Sequence, residues 1–318
     1  MYREPPFSLL PSSVSMNPLK TLLLLPFLAL SQVAQAASMA KPQALERVFV
    51  IVLENKNFES VVGNSDLPQI NALIRQGGLA TNYWGLVHPS MGNYVAMISG
   101  DLYGIHDDDS SRSLVGPTLM DQLEQAAKGW KAYMESIPEP GSKVLYSVPD
   151  VLYAKKHNPF LLFKSIQSTA RAKNVVPLEQ LYRDLKSPKA PALLYIVPNQ
   201  CNDMHGAPGC VGRSLLLKKG DAYVGKLVAD IMASRAWTQN SALVLTFDEG
   251  DLENRRTPPS ALEAGGHILT VVISGNNATP RTSDLPFNHY SLLRTLEEGF
   301  GLPLLGGAKS ARALWPLF

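Results

Sequence analysis

Cysteine, net charge and long apolar runs are all scarce in this sequence of 318 residues. It has two cysteines, and no second pair or CxxC spacing supports a zinc-thiolate site. The 29 Lys and Arg residues nearly balance the 27 Asp and Glu residues, so the chain lacks the basic excess of a protein that tracks nucleic-acid backbones. The apolar run from Thr21 to Leu30 is far shorter than the roughly 20 residues of a membrane-spanning helix. The remaining composition, 45% hydrophobic and 18% charged, is that of an ordinary globular protein.

Motifs of several common enzyme classes are missing as well. The Gly-x-Ser-x-Gly pattern of a lipase-type nucleophile fails at Ser90, because His88 stands two residues before it. The GxxxxGK[ST] phosphate loop and the GxGxxG fingerprint are absent, which excludes the common nucleotide-binding sites.

The first 36 residues have the pattern of a secretory signal peptide. Lys20 precedes the apolar run, and small residues follow it up to the cleavage-type step Ala34-Gln35-Ala36. We therefore expect a signal peptide over residues 1–36 and a single domain over residues 37–318, exported to the periplasm or secreted. A buried or membrane-anchoring helix is the alternative interpretation of the run.

Export affects the interpretation of the two cysteines. Cys201 and Cys210 lie nine positions apart in a loop that contains Gly and Pro. An oxidising compartment favours a disulfide that closes this loop. A metal-thiolate pair is the weaker alternative.

Short apolar runs alternate with helical patterns along the rest of the chain. Because the runs are continuous and rich in Val, Ile and Leu, they predict strands buried on both faces, in a sheet with helices on each side. The predicted fold class is therefore α/β. The predicted strands are Val48–Leu53, Trp130–Met134, Leu193–Val197, Ala242–Phe247 and Ile268–Ile273, and the predicted helices include Leu67–Gln76, Thr118–Lys128, Leu178–Leu185, Gly220–Ser234 and His289–Phe300. The less periodic residues 136–191 are expected to cap the sheet.

Acidic and amide side chains follow three of the predicted strands. Ligands of open α/β sheets bind at the carboxyl ends of strands, so these side chains are candidates for a site. If they converge, a divalent cation is the simplest compensation for their charge: oxygen ligands suit Mg²⁺, Ca²⁺ or Mn²⁺, and nearby imidazoles admit Zn²⁺ or Fe. The alternative is that they begin loops or cap helices. These residues are Glu54, Asn55, Asn199, Asp203, Asp248 and Glu249, and His205 follows Asp203 in the same loop.

Ser90 lies between His88-Pro89 and Gly92-Asn93, before an apolar, helix-like stretch. A bound cation or a base would make its hydroxyl a nucleophile, and a helix N-terminus would offer N–H donors to a phosphate. The amide of Asn93 can donate to a phosphoryl oxygen. The alternative is that Ser90 is an ordinary helix N-cap.

Histidine is concentrated in candidate loops and at the ends of elements. A metal or phosphate site collects such residues, although each one alone is also consistent with a surface or structural role. The five are His88, His106, His205, His267 and His289, and no role is assigned to His157.

Six segments, taken in order, resemble the bacterial phosphoesterase family that contains phospholipase C enzymes and secreted acid phosphatases, a branch of the alkaline phosphatase-like superfamily. They are VFVIVLENKNFESVVG, HPSMGNYVAMISGD, PNQCNDMHG, LTFDEGD, GGHILTVVISG and NHYSLLRTLEEGFGLP. The chain departs from the family pattern at Gly92, where proline is common, and at Gly206, where an acidic residue followed by Cys is common. The resemblance implies an alkaline phosphatase-like fold, with a central, mostly parallel sheet and helices on both faces.

The resemblance also implies roles for individual residues. Ser90 is the nucleophile, and Asn93 and His267 contact the substrate phosphate. His205 or His289 protonates the leaving oxygen or activates water, and the three histidines are otherwise phosphate contacts or ligands of a second metal. The implied ligands of the cation are Glu54, Asn55, Asp248 and Glu249.

The implied function is that of an exported, metal-dependent acid phosphatase that acts on phosphomonoesters through a phosphoserine intermediate. Its expected cofactor is Mg²⁺, Ca²⁺, Mn²⁺ or Zn²⁺, and its expected partner is a small phosphorylated substrate, with phosphoinositides and phospholipids among the candidates. Nucleic acid and a stable membrane anchor are not expected. The alternatives are a phospholipase C-type phosphodiesterase and a non-catalytic secreted protein that binds metal or phosphate.

Overall fold

The computed structural model describes residues 43–251, 264–276 and 279–318. The predicted signal peptide, residues 1–36, lies outside these residues. In the part of the chain that is described, no helix has both the length and the apolar character needed to cross a membrane.

A mostly parallel sheet forms the centre of the protein. The strands found among the described residues are β1 (Arg47–Leu53), β2 (Gly78–Ala80), β3 (Tyr83–Trp84), β4 (Trp130–Met134), β5 (Val175–Pro177), β6 (Leu193–Val197), β7 (Ser241–Phe247), β8 (Thr270–Ser274), β9 (Arg281–Ser283) and β10 (Phe287–Asn288). Eight of them form one sheet in the order β5-β4-β6-β1-β7-β8-β2-β9, and β3 pairs with β10 separately. Within the large sheet, β8 runs antiparallel to both of its neighbours, whereas the other adjacent pairs are parallel.

Helices cover this sheet. Every residue of β1 and of β7 is buried, as expected when both faces of a strand are covered. Helix α2 packs against α7, and α3 packs against α8. The α-helices of the described residues are α1 (Phe58–Val61), α2 (Pro68–Gln76), α3 (Ser90–Ser99), α4 (Leu119–Gln125), α5 (Lys164–Gln167), α6 (Leu181–Asp184), α7 (Arg213–Met232) and α8 (His289–Phe300). The predicted α/β class with a mostly parallel central sheet is therefore confirmed.

The predicted strands agree closely with the observed ones except for the last. Strands β4 and β6 have the predicted bounds, and β1 and β7 each begin one residue early. The predicted strand Ile268–Ile273 is displaced to β8, because Ile268 pairs with the loop after β1 instead. Its backbone N–H donates to the carbonyl oxygen of Tyr83 at 2.9 Å, and it forms an isolated bridge with Asn57.

The largest difference between the predicted and the observed helices is at α7. That helix begins at Arg213, so Gly220 lies in its interior and not at its start. A Cβ atom at position 220 would lie 2.5 Å from Cγ of Met204. The glycine therefore marks the close approach of α7 to the loop that carries Asp203 and His205. The segment 136–191 contributes β5 to the edge of the sheet, and the predicted helix Leu178–Leu185 is a 3₁₀ turn followed by α6.

Candidate active site

The carboxyl ends of β6, β1 and β7 lie side by side, since these strands are neighbours in the sheet. Hydrogen bonds join the segments that follow them. The backbone N–H of Glu54 donates to the carbonyl oxygen of Asp203 at 2.8 Å, and the N–H of Asn55 donates to Oδ1 of Asp248 at 3.2 Å. The fold thus brings the polar residues of three strand ends into one place.

Ser90 is the first residue of α3, and its side chain is directed towards these acidic groups. The preceding Pro89 occupies the N-cap position, so Ser90 is not the N-cap. The fully buried Oγ lies 3.2 Å from Oε2 of Glu54 and 3.1 Å from Oε1 of Glu249. A serine oxygen therefore lies between two carboxylates at the start of a helix.

Four acidic side chains of the site are largely excluded from water. Glu54, Asp203 and Asp248 are fully buried, and Glu249 is 5% exposed. Burial raises the pKa of Glu54 and of Asp248 well above their ordinary values, and the charges of nearby carboxylates raise both further. Holding these groups ionised is costly unless a positive charge lies among them.

Several buried oxygens of the site have no hydrogen-bond partner. They are Oδ1 of Asn55, Oδ2 of Asp203 and Oδ2 of Asp248. A buried acceptor without a partner is unfavourable, and one carboxylate or amide oxygen from each of several residues is the donor set of a hard divalent cation. The residues that surround Ser90 therefore fit a bound divalent metal ion.

Two histidines extend the acidic cluster. Glu54, His157 and His205 each offer one ligand atom, and these three atoms lie within 4.8 Å of one another. His157 is buried, its ring is stacked on Tyr94, and its Nε2 lies 3.3 Å from Oε1 of Glu54. Sequence reasoning missed His157, because the weakly periodic segment 136–191 gave no sign that it returns to the site.

The other histidines have partners within the protein. His289 is fully buried, with Nε2 at 2.5 Å from the carbonyl oxygen of Asp248 and Nδ1 at 3.2 Å from the Tyr83 hydroxyl. Burial lowers the pKa of His289 to about 4, so its ring is neutral. His267 contacts Glu59 and the carbonyl oxygen of Thr81 at 2.9 and 3.0 Å. These contacts give both rings a structural function, and the roles expected for them in catalysis remain predictions.

His88 and His106 differ in their distance from the acidic cluster. Nδ1 of His88 lies 2.5 Å from Oε2 of Glu249, whereas His106 is exposed on the surface. His88 therefore joins the site and orients one of its carboxylates.

The side chain of Asn93 holds the loop that precedes Ser90. Its Oδ1 accepts hydrogen bonds from the N–H groups of Leu86 and Val87 at 2.8 and 3.2 Å, and its Nδ2 donates to the carbonyl oxygen of Val87 at 2.7 Å. The amide has a second N–H, so a phosphate contact by Asn93 is compatible with this geometry and stays a prediction.

The loop after β6 is closed by the predicted disulfide. Cys201 and Cys210 are bonded, with their Cα atoms 5.7 Å apart. Glu135 also holds this loop, since its carboxylate accepts from the backbone N–H of Asn199 at 2.8 Å and from Nδ2 of Asn202 at 2.9 Å. The disulfide and these hydrogen bonds restrain the segment that contains Asp203 and His205.

The fold is that of the alkaline phosphatase superfamily. A protein of this superfamily from Vibrio parahaemolyticus matches with a TM-score of 0.57 at 14% identity, over 86% of this chain and 71% of the other. A phosphonate monoester hydrolase from Silicibacter pomeroyi matches with a TM-score of 0.55 at 11% identity, over 86% and 76% of the two chains. Identities this low establish a shared fold only.

The chain belongs to the Phosphoesterase family, whose profile matches residues 64–303. It is 30% identical over 284 residues to a phosphatidylinositol-3-phosphatase from Mycobacterium tuberculosis, over 89% of this chain and 85% of the relative. It is 31% identical over 275 residues to a phosphate-repressible acid phosphatase from Penicillium chrysogenum, over 85% and 62%. The chain spans about three fifths of the length of the fungal relatives it matches. The family resemblance noted in the sequence is confirmed.

Proposed function

We propose that the protein is an exported, metal-dependent acid phosphatase that hydrolyses phosphomonoesters through a phosphoserine intermediate at Ser90. One observation carries the proposal: Ser90 Oγ lies between Glu54 and Glu249, beside unpartnered buried oxygens of Asn55 and Asp248. The names of the relatives, acid phosphatases and a phosphatidylinositol-3-phosphatase, support the same reaction class.

The cation would be held by Glu54, Asn55, Asp248 and Glu249. When bound, it offsets their negative charge, polarises a phosphoryl oxygen and favours the alkoxide of Ser90. Because Glu54, Asp248 and Glu249 are buried, water would have little access to a cation held by them.

In the first chemical step, Ser90 Oγ attacks phosphorus in line with the leaving group. The bond from Oγ to phosphorus forms while the bond from phosphorus to the leaving oxygen breaks, and the leaving oxygen departs with the electron pair. The serine proton has a route to Glu249, whose Oε1 accepts the hydroxyl hydrogen bond.

In the second step, water attacks the phosphorus atom of phosphoserine and the bond to Oγ breaks. His205 is the histidine best arranged to take the proton of this water. Its Nδ1 donates to the carbonyl oxygen of Gly206 at 2.8 Å, so Nε2 carries the lone pair of the ring, and burial lowers the pKa of the ring. The contact of Nε2 with Nζ of Lys156 is long, at 3.4 Å, and leaves this lone pair accessible to water. His289 has both nitrogens engaged, so we assign it the role of positioning Asp248.

Export and the substrate class form part of the same proposal. The pattern of residues 1–36 supports cleavage after Ala36, which N-terminal sequencing of the protein recovered from the periplasm or medium tests. A start at Ala37 is expected, and an intact N-terminus would contradict it. The named activity of the mycobacterial relative makes phosphoinositides the first lipid substrates to assay.

Chelation tests the metal centre. The purified protein is assayed with p-nitrophenyl phosphate before and after chelation, and again after Mg²⁺, Ca²⁺, Mn²⁺ or Zn²⁺ is restored. We expect chelation to lower the rate by at least about 100-fold and one of the cations to restore it.

The same assay separates the alternatives. Faster hydrolysis of bis-p-nitrophenyl phosphate or of phosphatidylcholine would identify a phosphodiesterase. Phosphate binding without hydrolysis of any ester would identify a non-catalytic protein. Full activity after complete chelation would contradict the metal centre.

A further inference from the structure

Lys156 lies at the site and has no part in the reaction described above. Its Nζ donates to Oδ2 of Asp108 at 2.9 Å and lies 3.4 Å from Nε2 of His205. Asp108 also accepts the N–H of Met91, in the first turn of α3, at 3.2 Å. Lys156 is thereby held between the start of the helix that carries Ser90 and the loop that carries His205.

Lys156 lies on the solvent side of the acidic cluster. Its side chain is 15% exposed, whereas Glu54, Ser90 and Asp248 are fully buried. The ammonium is therefore more accessible to an incoming phosphate than these buried groups are.

The charge of Lys156 is maintained by its neighbours. The carboxylate of Asp108 lies 2.9 Å from Nζ and favours the charged form of the side chain. An ammonium has three N–H donors, and the contacts with Asp108 and His205 account for two of them.

We propose that Lys156 binds a non-bridging oxygen of the substrate phosphate and makes the site selective for dianionic monoesters over monoanionic diesters. This inference rests on the proposed function. The site has four buried carboxylates, so a divalent cation alone leaves it without excess positive charge for a dianion. Above a second pKa of about 6, a phosphomonoester carries two negative charges, whereas a diester carries one. A fixed ammonium beside the phosphate therefore stabilises the bound monoester more than the bound diester.

A purely structural role gives a different expectation. If Lys156 only holds Asp108 and His205 in place, its loss disturbs α3 and the loop after β6 in the same way for every substrate. Hydrolysis of monoesters and of diesters would then fall in parallel.

The experiment compares kcat/KM for p-nitrophenyl phosphate and bis-p-nitrophenyl phosphate at pH 7. The variants are Lys156→Gln, which removes the charge but keeps a donor, and Lys156→Arg, which keeps the charge. Lys143→Gln is the matched control, because Lys143 is an exposed lysine of the same segment, residues 136–191. We expect Lys156→Gln to lower kcat/KM for the monoester by about 10- to 100-fold and for the diester by less than about 3-fold. Lys156→Arg should retain the preference for the monoester, and Lys143→Gln should behave as wild type.

Equal losses with both esters, or no loss with the monoester, would overturn the assignment of Lys156. If Lys156→Gln fails to fold by circular dichroism, Lys156→Met removes the charge while keeping most of the packing of the stem. If the wild-type protein hydrolyses neither ester, the proposed function fails, and calorimetry with inorganic phosphate then tests Lys156 separately. Unchanged phosphate affinity in the charge-removing variant would contradict the inference, and weakened affinity would support it.

Discussion

Two buried histidines of the protein show how much the surroundings of a side chain decide its chemistry. Burial lowers the pKa of both His157 and His289, so both rings are neutral. The ring of His289 is fixed by Asp248 and Tyr83, whereas Nε2 of His157 is directed towards Glu54. A catalytic role was predicted from the sequence for His289 and none for His157. Residue type and position alone do not reveal which ring atoms already have partners.

Glu297 of α8 carries a prediction about stability and pH. Its side chain is fully buried, its Oε1 accepts the N–H of Leu305 at 2.9 Å, and its Oε2 has no partner. Burial raises the pKa of Glu297 to about 8. The folded state therefore binds a proton that the unfolded state has lost between about pH 4.5 and 8, and this residue lowers stability as the pH rises through that window.

Glu297→Gln should remove this penalty. The amide keeps an acceptor for Leu305, and the side chain of Gln122, whose buried Oε1 has no partner, contacts residue 297. We expect the variant to unfold at nearly the wild-type temperature at pH 5, and to be more stable than wild type by about 1 to 3 kcal/mol at pH 8. Thermal unfolding at the two pH values measures this, and a difference in unfolding temperature that does not change with pH would contradict it.

Among the elements of the site, the loop after β6 is restrained by a disulfide and by contacts with Glu135 and α7. The disulfide between Cys201 and Cys210 closes the loop, and Glu135 binds its start. Met204 packs against Gly220 of α7, where a Cβ atom would lie 2.5 Å from Cγ of Met204 and would force the methionine to shift. These restraints fix Asp203 and His205 relative to the ends of β1 and β7.

Replacing both cysteines by serine tests the contribution of the disulfide. A cross-link that closes a loop of this size contributes about 2 to 3 kcal/mol to stability. We expect Cys201→Ser/Cys210→Ser to lower the free energy of unfolding by about that amount and to reduce kcat for p-nitrophenyl phosphate, because Asp203 and His205 lie inside the loop. Denaturant unfolding and steady-state kinetics provide the two readouts.

The wild-type protein treated with a reductant should behave like this double variant. The variant itself, treated in the same way, is the control and should not change further. A double variant with wild-type kcat would show that the disulfide does not position the site.

The strands were far more predictable than the segment between β4 and β6. Strands β1, β4, β6 and β7 are continuous apolar runs, and burial on both faces leaves few alternatives for such runs. Residues 136–191 instead form short helices, 3₁₀ turns and an edge strand, whose positions depend on tertiary contacts that no local period records. The contribution of Lys156 and His157 to the site could therefore not be predicted.

At the scale of the whole molecule, the site is assembled from segments that are far apart in the chain. The sequence indicated Glu54 and Asp248 as candidates for one site, because both follow buried strands and the carboxyl ends of parallel strands meet at one edge. It could not indicate that Ser90 lies 3.1 Å from Glu249, since that depends on how α3 packs against α8 and the sheet. The candidate residues were thus predictable, and their contacts and exposure were not.

Trapping the phosphoserine intermediate tests the role of Ser90 directly. The protein is mixed with excess p-nitrophenyl phosphate, quenched in acid during turnover, digested and examined by mass spectrometry, with Ser90→Ala as the matched variant. We predict phosphate on Ser90 in the wild-type protein, no phosphorylated peptide from Ser90→Ala, and a fall in turnover of at least about 1,000-fold in a variant that remains folded. Unchanged turnover in folded Ser90→Ala, or phosphate on a different residue, would contradict it.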